Sequence, residues 1–178
     1  MFSLVFTRRY SMAHRLLSDR ASKCAIPHGH NEIVTARIAG PSLERLDGRA
    51  NMVAPFEIAK TQWHAWIDNA VDHALQLGEG DPLIDYFRQA EPDKFDRLLV
   101  MPGDPTTELL AACFMAKLNA FLDDAGERLR CIELTVEETP TNAVVLTGDP
   151  ADALPERSAA NRTPWWNRPD MTINDFGV

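Results

Sequence analysis

Alternation of apolar and polar residues near both ends of the chain predicts four β-strands. Residues 2–10 and 30–40 alternate in this way in the N-terminal part, and residues 129–139 and 143–147 do so in the C-terminal part. Alternating side chains lie on opposite faces of a strand, so each segment has one face available for a core. We expect each pair to form a hairpin, with Cys24 in the connection of the first.

Two longer segments have the 3.6-residue period of amphipathic helices. They cover about residues 55–75 and 106–125, and Thr106 is placed to cap the second. A shorter helical segment and an apolar run lie between them, at residues 82–89 and 98–101. The order strand, strand, helix, helix, strand, strand predicts an α+β fold.

The chain has 178 residues, 45% of them apolar, which is enough for one core of ordinary size. After Gly148 the sequence becomes rich in proline and loses its periodicity. We therefore divide it into a domain, residues 1–148, and a C-terminal tail, residues 149–178, and expect truncation after Gly148 to leave the domain folded. The adjacent Trp165 and Trp166 suggest that the tail docks on a surface, while its role stays open.

The charge and the apolar runs exclude two classes of partner. A formal net charge of −8 argues against nucleic-acid binding, which needs an excess of Lys and Arg. No apolar run reaches membrane-spanning length, and the N-terminus places its apolar residues before its arginines, unlike a secretory signal. Cys24, Cys113 and Cys131 form no CxxC pair and predict no disulfide framework. We expect a soluble protein of the cytoplasm with reduced thiols.

The segment His28-Gly29-His30 is a candidate metal-binding motif. Two imidazoles two residues apart lie on the same side of an extended chain, where one metal ion can bind both. His14, on the paired strand, can supply a third nitrogen. Three protein ligands leave a fourth position for substrate or water, as catalytic zinc requires. The alternative is two ordinary surface or core histidines.

Cys24 is the candidate nucleophile or general base among the three cysteines. It lies four residues before His28 in a polar, basic segment, whereas Cys113 and Cys131 lie in apolar runs and are expected in the core. A nearby metal ion and Lys23 would favour its thiolate form. In the competing interpretation, Cys24 is a fourth ligand that closes a structural zinc site.

Two carboxylates are candidates for proton transfer and ligand binding. Asp72-His73 can form half of a proton relay, because a carboxylate orients an imidazole and raises its basicity. Glu138 shares the predicted buried face of its strand with Ile132 and Leu134, and it can accept two hydrogen bonds from a planar, amidine-like edge. A solvated helix end and an exposed strand end are the respective alternatives.

Residues 8–23 form a basic segment within this acidic chain. Such a segment attracts anions, so a molecule that enters beside the metal can carry phosphates. The alternative is an ordinary solvated loop. Its cations are Arg8, Arg9, Arg15, Arg20 and Lys23, and its acid is Asp19.

Taken together, these motifs resemble the 6-pyruvoyl-tetrahydropterin synthase and 6-carboxytetrahydropterin synthase family. The resemblance covers about residues 2–147 and rests on motifs that occur in the family's order. They are Ser11-Met12-Ala13-His14-Arg15-Leu16, Cys24-x3-His28-Gly29-His30, Val71-Asp72-His73, Pro105-Thr106-Thr107-Glu108 and Val136-Glu137-Glu138-Thr139.

The resemblance implies a tunnelling fold, or T-fold. In this fold an antiparallel sheet of two hairpins carries two long helices on one face, and the sheets of several subunits join into an oligomeric barrel. The family is usually a homohexamer of two stacked trimers, with active sites at subunit boundaries and Zn²⁺ bound to the side-chain oxygens of a pterin triphosphate substrate. The implied roles are metal binding by His14, His28 and His30, proton transfer by Cys24, Asp72 and His73, and pterin binding by Glu138, Thr106 and Thr107.

Three residues separate Cys24 from His28. This gap is more similar to the gap in the bacterial queuosine-pathway enzyme than to that in the biopterin enzyme, which is usually longer. This favours 6-carboxy-5,6,7,8-tetrahydropterin synthase, which converts 7,8-dihydroneopterin triphosphate into 6-carboxytetrahydropterin, acetaldehyde and triphosphate. The alternatives are 6-pyruvoyl-tetrahydropterin synthase or a related pterin lyase, and a noncatalytic zinc-binding relative that binds a protein partner. Asn31-Glu32 and Pro55 depart from the family pattern, and Glu32 would repel a nearby triphosphate.

Overall fold

A mixed β-sheet of six strands is the framework of the computed structural model, which describes residues 2–18, 22–40, 51–126, 128–155 and 163–176. The strands are β1 Ser3–His14, β2 His28–Ala39, β3 Ala74–Gly78, β4 Leu98–Met101, β5 Arg130–Thr139 and β6 Asn142–Thr147. Across the sheet their order is β4-β3-β1-β2-β5-β6. The α-helices of the described residues are α1 Phe56–Trp66, α2 Pro82–Ala90 and α3 Thr107–Asp124.

The two hairpins that the alternation predicts are confirmed. β1 and β2 pair antiparallel along their whole length, from Ser3 opposite Ala39 to His14 opposite His28. β5 pairs antiparallel with β6 and with β2, which joins the two hairpins. The connection of the first hairpin carries Cys24, as expected.

Two parallel strands extend the antiparallel sheet, and the alternation does not predict them. β3 pairs with the last three residues of β1, and β4 pairs with β3. Leu99 and Met101 belong to the main core, whereas Leu77 and Val100 pack in a second cluster with Ile84 of α2. Because both faces of these strands are covered, their residues are mostly apolar without a period of two, although β3 also contains the buried Gln76.

The first predicted helix is shorter than the apolar spacing indicates. α1 ends at Trp66, and a π-helical turn follows at Ile67–Val71. The prediction of helix through residue 75 is therefore wrong in its last turn, since Ala74 begins β3. Ala74 is buried in the strand, just as the helical pattern requires, which explains why spacing alone is misleading there.

α1 and α3 lie on one face of the sheet and build the main core with it. Thr106 caps α3 as predicted, because its hydroxyl accepts the N–H of Leu109. Trp63 and Trp66 stack with 5.1 Å between ring centroids, and both contact Phe114.

Within the described part of the chain, no helix combines the length and the apolar character that crossing a bilayer requires.

A bulge in β5 changes which residues face the core. The pairing with β2 shifts between Arg37 and Ile38, and Ile132 is left in the bulge with 40% of its surface exposed. Leu134 is buried as predicted, and Val136 is buried on the same face. The predicted position of Ile132 on the same buried face is wrong, because a strand that gains one residue at a bulge loses its simple alternation.

The C-terminal segment, which we define as residues 163–176, closes the outer edge of β4. Val100 donates its N–H to the carbonyl oxygen of Ile173 at 3.0 Å, and the Val100 carbonyl accepts the indole N–H of Trp165 at 2.7 Å. Trp165, Trp166 and Ile173 are buried in the main core. The adjacent tryptophans therefore dock on this domain and cover an edge that would otherwise expose unpaired backbone groups.

Lys117 of α3 fastens the C-terminal segment. Its ammonium group is buried and donates to the carbonyl oxygens of Trp165 and Thr172 at 3.0 and 3.3 Å, and to the carboxylate of Asp170 at 3.1 Å. Burial lowers the pKa of Lys117 to about 8, against the opposing effect of Asp170. All three acceptors belong to the C-terminal segment, so the burial of this charge depends on that segment.

We predict that truncation after Gly148 destabilises the domain, which reverses the expectation drawn from the sequence. The truncation removes the acceptors of Lys117, and an uncompensated buried charge costs about 3–5 kcal/mol of unfolding free energy. Urea denaturation of the full and truncated chains measures the change. In the truncated chain, Lys117→Met should restore part of the loss, because a thioether needs no acceptors.

Lys94→Met is the matched control, since Lys94 is exposed and pairs with the exposed Asp93. It should leave the unfolding free energy almost unchanged in either chain. A truncated protein as stable as the full chain would show that the C-terminal segment is not needed to bury Lys117.

The lowered pKa of Lys117 predicts that stability rises with pH above about 8. The unfolded chain keeps the Lys117 proton up to about pH 10.5, whereas the folded chain releases it near pH 8. Between these values the unfolded state binds more protons, so the free energy of unfolding increases with pH. Urea denaturation of the wild type and of Lys117→Met from pH 7 to 10 isolates this contribution. A constant difference between the two proteins would show that Lys117 does not titrate in this range.

Candidate functional site

The antiparallel ladder of β1 and β2 brings the three predicted metal ligands together. His14 lies opposite His28, and Met12 lies opposite His30. Residues two apart on β2 share a face, so both of its histidines lie on the side of the sheet to which His14 belongs. The centroids of the three imidazole rings are between 4.6 and 5.2 Å apart. One nitrogen from each ring falls within a group spanning no more than 4.8 Å.

Two backbone carbonyls fix the tautomers of His14 and His28. Nδ1 of His14 donates to the carbonyl oxygen of Pro105 at 2.9 Å, and Nδ1 of His28 donates to that of Ile26 at 2.8 Å. A carbonyl only accepts, so each Nδ1 carries the hydrogen and each Nε2 keeps a lone pair. The two Nε2 atoms are 3.1 Å apart. Lone pairs at this distance repel unless a cation binds both, so the donor set fits a metal ion.

The cluster can hold a metal ion with three nitrogen ligands. Burial lowers the pKa of His14, against the bond to Pro105, which raises it, and a lowered pKa favours the neutral form that binds metal. Among the described residues, the group of close ligand atoms consists of the three histidines and does not include the sulfur of Cys24. This arrangement is typical of an open, catalytic site rather than a closed four-ligand one.

Cys24 lies half-buried in a 3₁₀ turn at Lys23–Ala25, in the connection that leads to His28. Ser22 caps the turn by accepting the N–H of Cys24 at 3.1 Å. The carbonyl of Cys24 accepts the N–H of Leu16 at 2.8 Å, which ties the turn to the residues that follow β1. The turn is therefore anchored at both its start and its centre, which restricts where the thiol can lie.

The other two cysteines, Cys113 and Cys131, lie in the core, as predicted. Burial raises the pKa of the Cys131 thiol to about 12. A thiol that stays protonated and inaccessible is unsuited to nucleophilic or base chemistry, so Cys24 remains the candidate.

Glu138 and Thr107 meet at the start of α3. The hydroxyl of Thr107 donates to Oε1 of Glu138 at 2.8 Å, and Glu138 is half-buried. The pKa of His14 is lowered overall, and the negative charge of Glu138 opposes this lowering, which indicates that the carboxylate lies near the metal ligands. The hydroxyl of Thr106 instead caps α3. A role for Thr106 in ligand binding stays a prediction.

Glu32 is the next residue after His30 on the inner face of β2, and it lies in the core. Its surface is 1% exposed, and it accepts a hydrogen bond from the hydroxyl of Tyr10 at 2.5 Å. Burial raises the pKa of Glu32 to about 7, and the charge of Glu138 adds to this effect. Because Glu32 is buried beside Tyr10, it does not present to a triphosphate the repulsive charge that its departure from the family pattern suggests.

Asp72 and His73 form a hydrogen-bonded pair after the π-helical turn. Nδ1 of His73 donates to Oδ2 of Asp72 at 2.8 Å, and the N–H of Ser11 donates to Oδ1 at 2.7 Å. Burial alone would raise the pKa of Asp72, but the bonds from Ser11 and His73 and the charge of Arg97 lower it overall. The side chain of His73 is 76% exposed. Within the described chain, no hydrogen bond joins this pair to Cys24.

The basic segment is partly neutralised by acidic neighbours. Arg8 makes two hydrogen bonds to Asp68, at 2.7 and 2.6 Å, and Arg15 makes a similar double contact with Asp81. A guanidinium group that is paired with a carboxylate attracts an anion less strongly than a free one. The segment therefore attracts anions less than its number of basic residues predicts. Arg8, Arg9 and Lys23 are exposed and Arg15 is half-buried, whereas Asp19 and Arg20 lie outside the described residues.

Sequence reasoning missed three contributors to the site. The carbonyl of Pro105 leaves no signal in residue type, because every residue has one. Arg97 donates to the carbonyls of Asn69 and Asp72, and nothing in its local sequence indicates this. The pair of Tyr10 and Glu32 did leave a signal, since both are polar residues at positions where the alternation of their strands predicts burial.

The chain matches the family model of 6-pyruvoyl tetrahydropterin synthase over residues 3–149. A probable 6-carboxy-5,6,7,8-tetrahydropterin synthase of Halobacterium salinarum is 31% identical over 132 residues, which cover 74% of this chain and 77% of that protein. The 6-carboxy-5,6,7,8-tetrahydropterin synthase of Bacillus subtilis is 26% identical over 144 residues, which cover 81% and 84%. The residues that the family model matches, 3–149, contain every predicted site residue and end before the C-terminal segment.

Solved structures confirm the fold class. An uncharacterised protein of Wolinella succinogenes aligns with a TM-score of 0.65 and 18% identity, over 83% of this chain and 98% of the other. The 6-pyruvoyl tetrahydropterin synthase of Caenorhabditis elegans aligns with a TM-score of 0.56 and 23% identity, over 83% and 96%. At these identities the likeness concerns the fold alone, and it bears out the predicted α+β tunnelling fold.

We predict that His28→Ala weakens metal binding at least about 100-fold, whereas Cys24→Ala leaves it nearly unchanged. Loss of a ligand should exceed the 10–100-fold effect that is typical of losing one of its supporting partners. Competition with a chromophoric chelator, with the metal offered as Zn²⁺, measures the affinity of each variant. His64→Gln is the matched control, because His64 lies outside the cluster. Undiminished binding by His28→Ala would remove it from the site, and loss of binding by Cys24→Ala would restore the four-ligand alternative.

Proposed function

Because this chain belongs to the 6-pyruvoyl tetrahydropterin synthase family, we propose that it is a pterin lyase, namely 6-carboxy-5,6,7,8-tetrahydropterin synthase. It would convert 7,8-dihydroneopterin triphosphate into 6-carboxytetrahydropterin, acetaldehyde and triphosphate, for queuosine biosynthesis in the cytoplasm. Relatives of that name in two organisms, matched over 74% and 81% of this chain, support the assignment. The observation that carries it is the three-histidine cluster with Glu138 close by.

We assign Zn²⁺ to the cluster of His14, His28 and His30. Three neutral imidazole nitrogens form a donor set that suits this ion. When bound, Zn²⁺ supplies a Lewis acid that acidifies the hydroxyl groups of the substrate side chain. The carbonyl of Pro105 keeps the lone pair of His14 on Nε2 and raises the basicity of that nitrogen.

Glu138 is the proposed anchor of the pterin ring. A carboxylate can accept two parallel hydrogen bonds from the 2-amino and N3 groups of a pterin. The bond from Thr107 orients this carboxylate from the start of α3. Thr106 caps the N-terminus of α3, next to Thr107. Both threonines therefore contribute to the part of the site that is proposed to bind the pterin.

Cys24 and the pair of Asp72 and His73 are the proposed proton carriers. Asp72 accepts from Nδ1 of His73, which directs Nε2 of an exposed ring outwards. His73 in its neutral form can then take a proton that Cys24 has removed from the substrate. Since this pair has no hydrogen bond to Cys24 in the described chain, we propose that it serves the site of a neighbouring subunit.

The sheet has the open edges that such an assembly needs. β3 covers only residues 12–14 of β1, so within the described chain residues 3–11 lack a strand partner on that side. β6 is the outer strand at the other end. Pairing of these two edges would join the sheets of several copies into a barrel, and we propose a homohexamer of two stacked trimers.

Two other functions compete with this proposal. A 6-pyruvoyl-tetrahydropterin synthase or related lyase would use the same residues, so only the product distinguishes it. A noncatalytic zinc-binding relative would not need the left-handed backbone of His73, at φ 63°, which is the kind of strain found at functional sites. Burial of Trp165 and Trp166 also withdraws them from contact with a protein partner.

We expect the zinc-loaded protein to convert 7,8-dihydroneopterin triphosphate into 6-carboxytetrahydropterin and acetaldehyde, both identified by mass spectrometry. Cys24→Ala should keep its zinc and lose turnover by about 10²–10⁴-fold, as expected for a general acid–base group. Metal content and turnover measured on the same preparation separate a loss of chemistry from a loss of zinc.

A pyruvoyl product would move the chain to the alternative branch of the family. No turnover by a protein that holds zinc would overturn the proposed reaction. Full turnover by Cys24→Ala would leave the reaction in place and assign the first proton transfer to another group.

A further inference from the structure

The pair of Asp72 and His73 is held by a residue that the proposed mechanism does not use. We propose that Arg97 is a positioning residue for proton transfer, because it binds the backbone from which the pair projects and holds the pair in its outward geometry. The inference rests on the proposed function, in which the pair carries protons.

The backbone that carries the pair departs twice from regular structure. The π-helical turn at Ile67–Val71 has a hydrogen bond that spans five residues instead of the four of an α-helix, and such turns are frequent at functional sites. Asp72 then leaves the helix with φ −60° and ψ 127°, and His73 adopts φ 63°, which residues other than glycine rarely do. Such a conformation persists only where the surrounding bonds over-determine it.

Backbone and side-chain bonds to β1 supply part of this restraint. The N–H of Asp72 donates to the carbonyl of Ile67, and the N–H of His73 donates to the carbonyl of Ser11, each at 2.8 Å. The N–H of Ser11 in turn donates to the carboxylate of Asp72 at 2.7 Å. These bonds fix the N–H groups of both residues and the acidic side chain, but not the carbonyls of Asn69 and Asp72.

Arg97 binds the carbonyls. Its Nη1 donates to the carbonyl oxygen of Asn69 at 2.8 Å, and its Nη2 donates to that of Asp72. A planar guanidinium holds two acceptors at a fixed spacing, which the single ammonium of lysine does not do. Arg97 directly precedes β4 and is half-buried, so the sheet anchors the side chain that reaches the pair.

The charge of Arg97 acts on the same pair. Asp72 faces two cations, Arg97 and Arg8, together with the imidazole of His73 and the N–H of Ser11. Against burial, which raises the pKa of Asp72, the hydrogen bonds and Arg97 lower it. An ionised Asp72 accepts from Nδ1 of His73, and this leaves Nε2 available for proton exchange.

The test combines a structural and a kinetic readout on the zinc-loaded full chain. In Arg97→Gln we expect faster hydrogen exchange at the amide of His73, which bonds to Ser11, and kcat reduced about 10–100-fold by misplacement of the ring. The KM and the zinc content should stay nearly unchanged. Arg97→Lys, which keeps the charge, should restore only part of kcat. Arg130→Gln, which removes an exposed pair with Asp123, is the matched control and should change neither readout.

An Arg97→Gln variant with unchanged His73 exchange overturns the inference, whatever its kcat. Faster exchange with unchanged kcat overturns it too. His73→Ala tests the proposed function separately, because full turnover by that variant would remove the pair from the mechanism even if Arg97 holds it in place. If Arg97→Gln does not fold, Arg97→Lys provides the same two readouts.

Discussion

His14 and His28 face each other because β1 and β2 pair in one register over their whole length. A slip of one residue would turn His28, His30 and Glu32 to the opposite face of the sheet. The same slip would expose the apolar residues of the inner face, which are Val34, Ala36 and Ile38. The geometry of the metal ligands is therefore set by burial of the core, and the carbonyl of Pro105 only has to select the tautomer.

α3 connects this site to the C-terminal segment. Its first turn carries Thr107, which holds Glu138, and its middle carries Lys117, which holds the C-terminal segment. The C-terminal segment also binds Val100 of β4, five residues before Pro105. The family match ends at residue 149, so the segment that closes the β4 edge lies outside the matched residues.

The positions of residues in segments with one clear periodicity were predictable from the sequence. Positions that also depend on a second constraint, such as burial of both faces of a strand or a bulge, were not. The histidine cluster followed from strand alternation, and the role of Thr106 as a cap followed from its position before an apolar period. β3 and β4 lack alternation because both their faces are buried, and Ile132 is exposed because a bulge adds a residue. Contacts such as Arg97 with Asp72, far apart in sequence, depend on the fold and leave no local pattern.

The π-helical turn at Ile67–Val71 also constrains how the chain can change in length. One residue fewer in this turn would return it to an α-helix, with the following residues rotated by about 100°. Asp72 and His73 would then leave Ser11 even though every side chain of the pair was still present. The count of residues between Trp66 and His73 is thus as much a part of the site as their identity, and a single deletion there would be less tolerable than most substitutions.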